Sequence, residues 1–590
     1  MKEIPTLDPR HRSWLTSFLD ENHLNFATSP DMVASPAQIR FMVCLDPGEY
    51  FYPCTQQVFE EIMARVNSPL LGEMYTEAWA MISNLIKEKI EDPERQAFLL
   101  DLLNIKYQHE TASCNIIPSR LSKRLFKLFV VTTQIEDPMR EEKLARNKRV
   151  AALLENEAFI KAVNQPAGQY VPAPRFKEDN LEAHRRHLDA TKLRRLFQAS
   201  NQSRLWVQDQ AAPGVPEWNE IFERPITGDG WGKLEDFLLA PREELTGHWV
   251  PRQILYLTDT AGEVVFDLAV INFLTRMGHK VFLAVKSAAF YELVHLGDIL
   301  TDPTLTALTT GAEIISAPNL NKKQLATHLM IDRPLQIIPD GTMEDLNLLL
   351  ASVTFARVFK EVDGIISRGA AQRRLFFEAP FEFIQDIYSI SAGPDHTLSI
   401  RFKPRCPIAV SFSNEQLEAM ALKITTEMRR AKENGMTVMF YSGIVGSVPG
   451  ETNVAIEIMT TFIEDLQKKQ SSTFVINPSS YFEPGMDADD LMYMWEIVQR
   501  SGLIDIWRFQ TYQDIETSFA LLGRKVPPQW VGKDATFSTG CTKEMGIALE
   551  VQREYPELQI IGPDPEKFSR RGEYGIGLFH DKRLTEIYEH

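Results

Sequence analysis

The sequence predicts an α/β protein in three parts. These are a helical N-terminal domain over residues 1–245, a three-layer α/β/α core with a mostly parallel sheet over 246–410, and an additional C-terminal α/β domain over 411–590. Three observations carry this. Residues 246–410 alternate short apolar, β-branched runs with helical stretches, the pattern of a sheet covered by helices on both faces. Residues 411–590 show the same alternation without being a recognisable copy. Ahead of both, apolar residues recur at three- and four-residue spacing, which is helix periodicity. A chain of 590 residues is also too long for a single core.

The elements follow in order. "CTQQVFEEIMARV", "EMYTEAWAMISNLIKEKI" and "LARNKRVAALLENEAFIKAV" are predicted helices. The Pro- and Gly-rich stretch 164–178 is a predicted loop, and the charged residues 179–195 return to helix. Residues 200–245 place Trp206, Trp218 and Trp231 among turn formers and read as an irregular insertion. Those rings either pack on the neighbouring domain or meet a ligand. The core strands are "ILYLTD", "KVFLAVK", "AEIIS", "LQIIP", "VDGIISRG" and "PIAVSF", with the helix "GEVVFDLAVINFLTRMG" after the first. The third part opens with the helix "NEQLEAMALKITTEMRRAKENG". Strands follow at "MTVMFYSG", "STFVINP", "IDIWRFQ" and "LQIIGP", with a helix in "ADDLMYMWEIVQRSG".

Composition narrows the partners. With 44% apolar and 24% charged residues the chain is not disordered throughout. A formal charge of −17 disfavours nucleic acid, whose phosphates need a basic surface. A small phosphorylated metabolite remains open, because one metal and one Arg suffice to bind it. Cys44, Cys54, Cys114, Cys406 and Cys541 show neither zinc-ligand nor CxxC spacing. The N-terminus lacks the apolar core of a signal peptide, and no apolar run approaches the roughly 18 residues of a membrane span. The expectation is a cytoplasmic protein with no membrane partner; a homo-oligomer is compatible with all of this.

The stretch "LTDTAGE" carries the first candidate site. Asp259 falls at the carboxyl end of a predicted strand, Gly262 permits a tight turn, and a helix then offers free N–H groups. An Asp beside such donors can hold Mg2+ or Mn2+ while the N–H groups receive phosphate. The alternative is that Asp259 only caps the helix. The second candidate, "VDGIISRGAAQRRLFF", ends its strand at Arg368-Gly369, where Arg368 either clamps a phosphate or joins Arg373 and Arg374 in a solvated basic patch. Gly443, Gly446 and Gly450 follow another strand in a turn with neither dinucleotide nor P-loop spacing. Cys541 heads a predicted helix with no His near it in sequence.

Taken together, these segments resemble the metal-dependent damage-control phosphatases. "TDTAGEVVFD" is similar to that family's Asp-Asn-x-Gly-Glu-x-x-x-Asp signature, and "YPCTQQVFEEI" to its Cys-containing helix start. "DPMREEKLARNKRVAALL" resembles the Asp-Pro-(Tyr/Phe)-x-x-x-Lys helix, "VDGIISRGAAQ" the strand before Lys-Gly-x-x-Asn, and "FKPRCPIAV" the Lys-x-Lys-Cys-Pro strand. The five matches keep their order over about residues 40–410. The resemblance implies a divalent metal, Mg2+ or Mn2+ with Co2+ or Ni2+ as alternatives, and hydrolysis of small phosphate monoesters. It implies Asp259 and Arg368 as catalytic residues, and Gly262, Glu263, Gly369, Gln372 and Lys403 around the substrate.

The departures are specific. Thr260 stands for the family's Asn ligand, Arg368 for its Lys, and Gln372 for its second Asn. The family's Pro-x-x-Asn-Asp segment aligns with residues that put Glu292 on the Asn and Leu293 on the ligating Asp. Asp259, Thr260 and Glu292 are therefore the expected metal set, with Glu292 reaching in from one residue away. The expected function is a metal-dependent phosphatase-like enzyme. The alternatives are a non-hydrolytic member that binds a ligand or partner protein, or a different reaction at the same metal site.

Overall fold

Short runs in which almost every side chain is buried become the strands of the main sheet, as in "KVFLAV" and "GIISR". Continuous burial of this kind marks a parallel sheet covered on both faces. The computed structural model describes residues 9–24, 38–45, 49–65, 68–165, 181–208, 210–239, 251–393, 396–448 and 451–568. In chain order the strands are β1 (Val43–Cys44), β2 (Gln253–Leu257), β3 (Lys280–Val285), β4 (Glu313–Ile314), β5 (Leu335–Pro339), β6 (Gly364–Arg368) and β7 (Glu382–Phe383). They continue with β8 (Ile387–Ala392), β9 (Leu398–Lys403), β10 (Thr437–Ser442), β11 (Thr473–Ile476), β12 (Ile506–Phe509) and β13 (Gln559–Ile561).

Seven of these form a sheet in the order β4-β5-β3-β2-β6-β8-β9, parallel except for β9. The chain moves outward from β2 through β3 to the edge strand β4, steps back one place for β5, then crosses to the other side of β2 for β6. The strand order thus reverses at β2 and β6, and such a reversal opens a crevice at the carboxyl ends of the strands. A second sheet, β11-β10-β12-β13, is parallel throughout. β1 and β7 form a small antiparallel pair.

The chain divides into two compact units, Met1–Leu320 with Thr327–Pro407, and Asn321–Ala326 with Ile408–His590. The first unit holds both the N-terminal helices and the seven-stranded sheet. Those helices start where the sequence can cap them. Ser68 accepts from Leu71 N ahead of Pro69–Lys89, and Asp92 accepts from Glu94 N and Arg95 N ahead of Pro93–Thr111. Both have proline in the first turn, where its missing N–H costs nothing. The helical stretch 144–163 is two helices, Arg140–Glu155 and Glu157–Val163, because Asn156 takes an extended backbone and caps the second. No described helix is long and apolar enough to cross a membrane.

Two expectations change. Residues 200–239 are not irregular: they form the helices Arg204–Val207, Val215–Glu223 and Trp231–Leu239. The turn formers there serve as helix starts, and Trp206 and Trp218 are core residues. "PIAVSF" forms no strand. Pro404 and Pro407 have no N–H for a ladder, and β8 with antiparallel β9 completes the sheet instead. The loop expected over 164–178 lies outside the described residues from 166 onward, as does Gly450.

One buried ion pair ties the helices to the sheet. Arg120, on the helix Pro118–Thr133, donates from Nη1 to both oxygens of Glu344 at 2.8 and 2.7 Å in the loop after β5. The two side chains are 4% and 1% exposed. Arg120→Met leaves Glu344 buried without its cation and should cost about 3–5 kcal/mol, the range for breaking a buried pair from one side. Denaturant unfolding of the first unit measures this. A loss under about 1 kcal/mol, the worth of a surface pair, would show that the pair is not sequestered in solution.

Candidate functional site

Asp259 lies two residues beyond β2, and Gly369 directly follows β6. Gly369 has φ +88, and a methyl group on it would overlap the Asp259 carboxylate. The structure therefore brings the Asp259 and Arg368-Gly369 segments together at the strand reversal, with glycine required by both the turn and the close approach. No described residue gives the Asp259 carboxylate a hydrogen bond, while its carbonyl accepts from Val294 N at 3.0 Å. Burial drives its pKa well above the ordinary carboxylate range, and the neighbouring Glu263 and Asp345 add to this. Lys286 and Arg368 oppose it. A helix cap would spend its oxygens on N–H groups, and Asp259 does not.

Arg368 is placed differently from a phosphate clamp. Its side chain is 0% exposed and lies between two carboxylates of the helix Glu263–Arg276. It pairs with Glu263, and its Nε lies 3.1 Å from Asp267 Oδ1. Nη2 also donates to Ser200 Oγ at 2.9 Å, and Nη1 has no hydrogen-bond partner. Asp267 in turn accepts from Tyr256 at 2.7 Å and Thr258 at 2.9 Å. Burial pushes the Glu263 carboxyl up to about 7; Arg368 and the Thr260 hydroxyl hold it from going higher, and Asp267 adds to the rise.

The remaining candidates separate. Gly262 N donates to Asn147 Oδ1 at 2.6 Å, so this N–H is already used. A Cβ on Gly262 would strike the Trp206 ring, and its φ of +87 also selects glycine. Glu292 lies beside the loop through its backbone, Ala261 N donating to its carbonyl at 3.0 Å. Its carboxylate instead pairs with Arg146 at 2.8 Å and is 43% exposed, so it does not reach inward as a ligand. Leu293 forms the bridge to Thr260. Gln372 donates to the Thr258 carbonyl at 3.0 Å, and its Oε1 is buried without a partner. Lys403 is not directed at a substrate, because its ammonium donates to the carbonyls of Phe376 and Phe381, both at 2.7 Å.

Two residues unmarked in the sequence, Asp345 and Lys286, stand nearby, with Arg374 of the basic patch. Asp345, in the loop after β5, has no hydrogen bond to a described residue, and burial raises its pKa. Lys286, at the end of β3, donates to Asp340 at 2.7 Å and Thr342 at 3.2 Å, and its charge acts on Asp259 and Asp345. Arg374 is exposed and acts on Asp345. The strand "LQIIP" was legible. Searching its carboxyl end, as for β2 and β6, leads to the loop that carries Asp345.

Among the described residues, Asp137, His295 and Asp298 have the spacing of a metal site. A cation already fills it. The Lys143 ammonium lies 2.6 Å from Asp137, 2.8 Å from Asp298 and 3.2 Å from His295 Nδ1, with its side chain 2% exposed. Lys143, Arg146 and Asn147 share one face of the helix Arg140–Glu155, at i, i+3 and i+4. Through Asp298, Glu292, Gly262 and Asp302 they fasten the loops around Asp259.

In the second unit, Cys541 is buried near the start of the helix Thr539–Glu554, and its Sγ lies 3.3 Å from the Gly443 carbonyl. Burial raises its pKa far beyond that of a reactive thiol, Glu544 contributing. Near Gly443 and Gly446, Ile444 and Val448 turn into an apolar cluster with Trp530, so this stretch packs inward.

A mostly parallel sheet whose strand order reverses beside Asp259 and Gly369, with carboxylates and buried cations gathered there, defines an α/β protein with a candidate site at its strand reversal. Residues 52–380 match the model of the damage-control phosphatase ARMT1-like domain, and the chain belongs to that family. A solved structure of a DUF89 family protein from Pyrococcus horikoshii is similar at 16% identity and a TM-score of 0.37, covering 55% of this chain and 96% of that one. No curated protein matches this chain.

The raised Glu263 pKa has a consequence for stability. Folding favours the protonated acid, so its contribution is complete below the ordinary value of 4.5 and is lost as pH rises through about 7. Glu263→Gln keeps the neutral form at every pH. In chelator, the stability of wild type relative to this variant should fall as pH rises from 4.5 to 7, as followed by thermal melts across that range. A relative stability that rises instead would show that the Arg368 charge outweighs burial.

Proposed function

We propose that this chain is a metal-dependent, phosphatase-like hydrolase of a small phosphorylated metabolite. The observation that carries the reading is the Asp259 carboxylate, held against Gly369 at the strand reversal and left without a hydrogen bond. The donors suit a hard divalent cation, Mg2+ or Mn2+, which takes oxygen ligands: the Asp259 carboxylate and the buried, unpartnered Gln372 Oε1 flank the same turn. What such a cation supplies is neutralisation of phosphoryl charge and a more acidic bound water.

The chain's own residues do the rest. Arg368 does not grip phosphate; it fixes Glu263 and, through Gly369, the position of Asp259. Glu263 titrates near neutrality, so the oxygen that Arg368 leaves open can take up or release a proton. Lys286 and Arg374 bring positive charge to the side where Asp345 lies, opposing the repulsion that a phosphate would meet. A second reading, a member that binds without hydrolysing, draws support from Leu293 in place of a ligand and from Glu292 committed to Arg146.

A screen of phosphorylated metabolites with and without Mg2+, Mn2+, Co2+ and Ni2+ tests the reading. Turnover should require metal and fall by about 100-fold or more in Asp259→Asn, as for loss of a group acting in the transition state. Thermal melts separate the alternatives. Mn2+ should raise the wild-type Tm by mass action and leave Asp259→Asn unmoved. Equal shifts in both proteins would refute the role of Asp259. A metal shift without turnover on any substrate would favour the binding-only reading.

A further inference from the structure

We propose that Asp345 supplies the acidic metal ligand that this chain lacks at Leu293, so that the cation site joins the ends of β2 and β5. The inference rests on the reading of a divalent cation at Asp259 and specifies who shares it. A leucine has no donor, and its neighbour Glu292 is spent on Arg146 at 2.8 Å. A single carboxylate is a weak hold on Mg2+ or Mn2+, since ligand charge sets affinity in such sites.

The loop after β5 is built to present a second one. Asp340 pairs with Lys286 at 2.7 Å, Ser287 N donates to the Thr342 carbonyl at 3.0 Å, and Gly341 N donates to Ser287 Oγ at 3.0 Å. On the residue before Asp345, Glu344 is locked by both its oxygens to Arg120, and Asn347 donates to it at 3.3 Å. The backbone is thus pinned on both sides of a carboxylate that bonds no described residue. It contributes to the negative field at Asp259, two strand positions away across β3. The Asp345 charge makes Asp259 harder to ionise, and neither carboxylate bonds a described donor, so a cation between them would relieve both. Lys286 does not fill that place, because its ammonium is committed to Asp340 and Thr342. An independent observation points the same way. Gln372 is 6% exposed, hangs from the Thr258 carbonyl beside Asp259, and has a buried Oε1 with no partner. Three unsatisfied oxygens from three segments are the donor set of a hard cation.

The test is Mn2+ binding by the full-length chain, read from the EPR signal of free Mn2+, with melts in chelator to check folding. Wild type should bind, Asp259→Asn should not, and Glu292→Gln should bind as wild type does. Asp345→Asn should melt normally in chelator and bind Mn2+ about tenfold or more weakly, as expected when a ligand charge is removed. Leu293→Asp added to Asp345→Asn should recover binding by restoring a carboxylate to the family's position. The proposal is overturned if Asp345→Asn binds like wild type while Asp259→Asn does not, or if the added Asp fails to recover binding. Absence of Mn2+ binding in wild type would overturn the reading of the Asp259 site itself.

Discussion

A guanidinium with no contact with solvent organises the crevice. Arg368 ends β6, and its two carboxylate partners, Glu263 and Asp267, are one turn apart on the helix that follows β2. A buried charge is tolerated only when paired and hydrogen-bonded, so the cluster forces the end of β6 against the start of that helix. Gly369 turns there with positive φ, and the Asp259 carboxylate occupies the space where a side chain on Gly369 would stand. With two acids to one base, the cluster keeps an excess of negative charge under desolvation. Glu263 consequently titrates near neutrality rather than as an ordinary surface acid.

The second organising element comes from the helices. The face of Arg140–Glu155 that carries Lys143, Arg146 and Asn147 touches four separate points of the loops beyond β2 and β3. The Lys143 charge is what makes the Asp137, His295 and Asp298 grouping a structural ion cluster, and the His295 hydrogen bond together with that charge holds the pKa of buried Asp298 below the usual carboxylate range. The loops that hold Asp259 are therefore shaped by a helix more than a hundred residues earlier in the chain.

Much of the sheet was legible because fully buried strands are written as unbroken apolar runs. β2, β3, β5 and β6 coincide with such runs, and the four strands of the second sheet with shorter or more mixed ones. β8 and β9 were missed because "IYSISA" and "LSIRFK" mix serines and charges into the run, the look of an edge rather than a centre. "PIAVSF" was over-read because its apolar content outweighed the prolines before it. At the site, Asp259 and Gly369 were each legible at the carboxyl end of a predicted strand, but a sequence does not state where a charge points. Arg368 reads as a phosphate clamp until Glu263 and Asp267 are seen to enclose it. Glu292 reads as a ligand until Arg146 is seen to hold it. Asp345 belongs to no motif near Asp259 and comes into range only through the β5-β3-β2 order of the sheet.

The contacts that shape the crevice also set an order of assembly in time. Asn147 and Gly262 are 115 residues apart, Lys143 and Asp298 are 155 apart, and Arg120 and Glu344 are 224 apart. At a synthesis rate of roughly 5–20 residues per second, Lys143 waits about 8–30 s on the nascent chain for Asp298 to emerge, across a separation of 155 residues. Throughout that interval the nearby Asp137 is the one carboxylate partner of the lysine already synthesised. The crevice is thus assembled after the helices that surround it, by distant pairings of the kind that slow folding. A ribosome pausing between residues 155 and 298 would hold a chain that carries Lys143 but not yet Asp298.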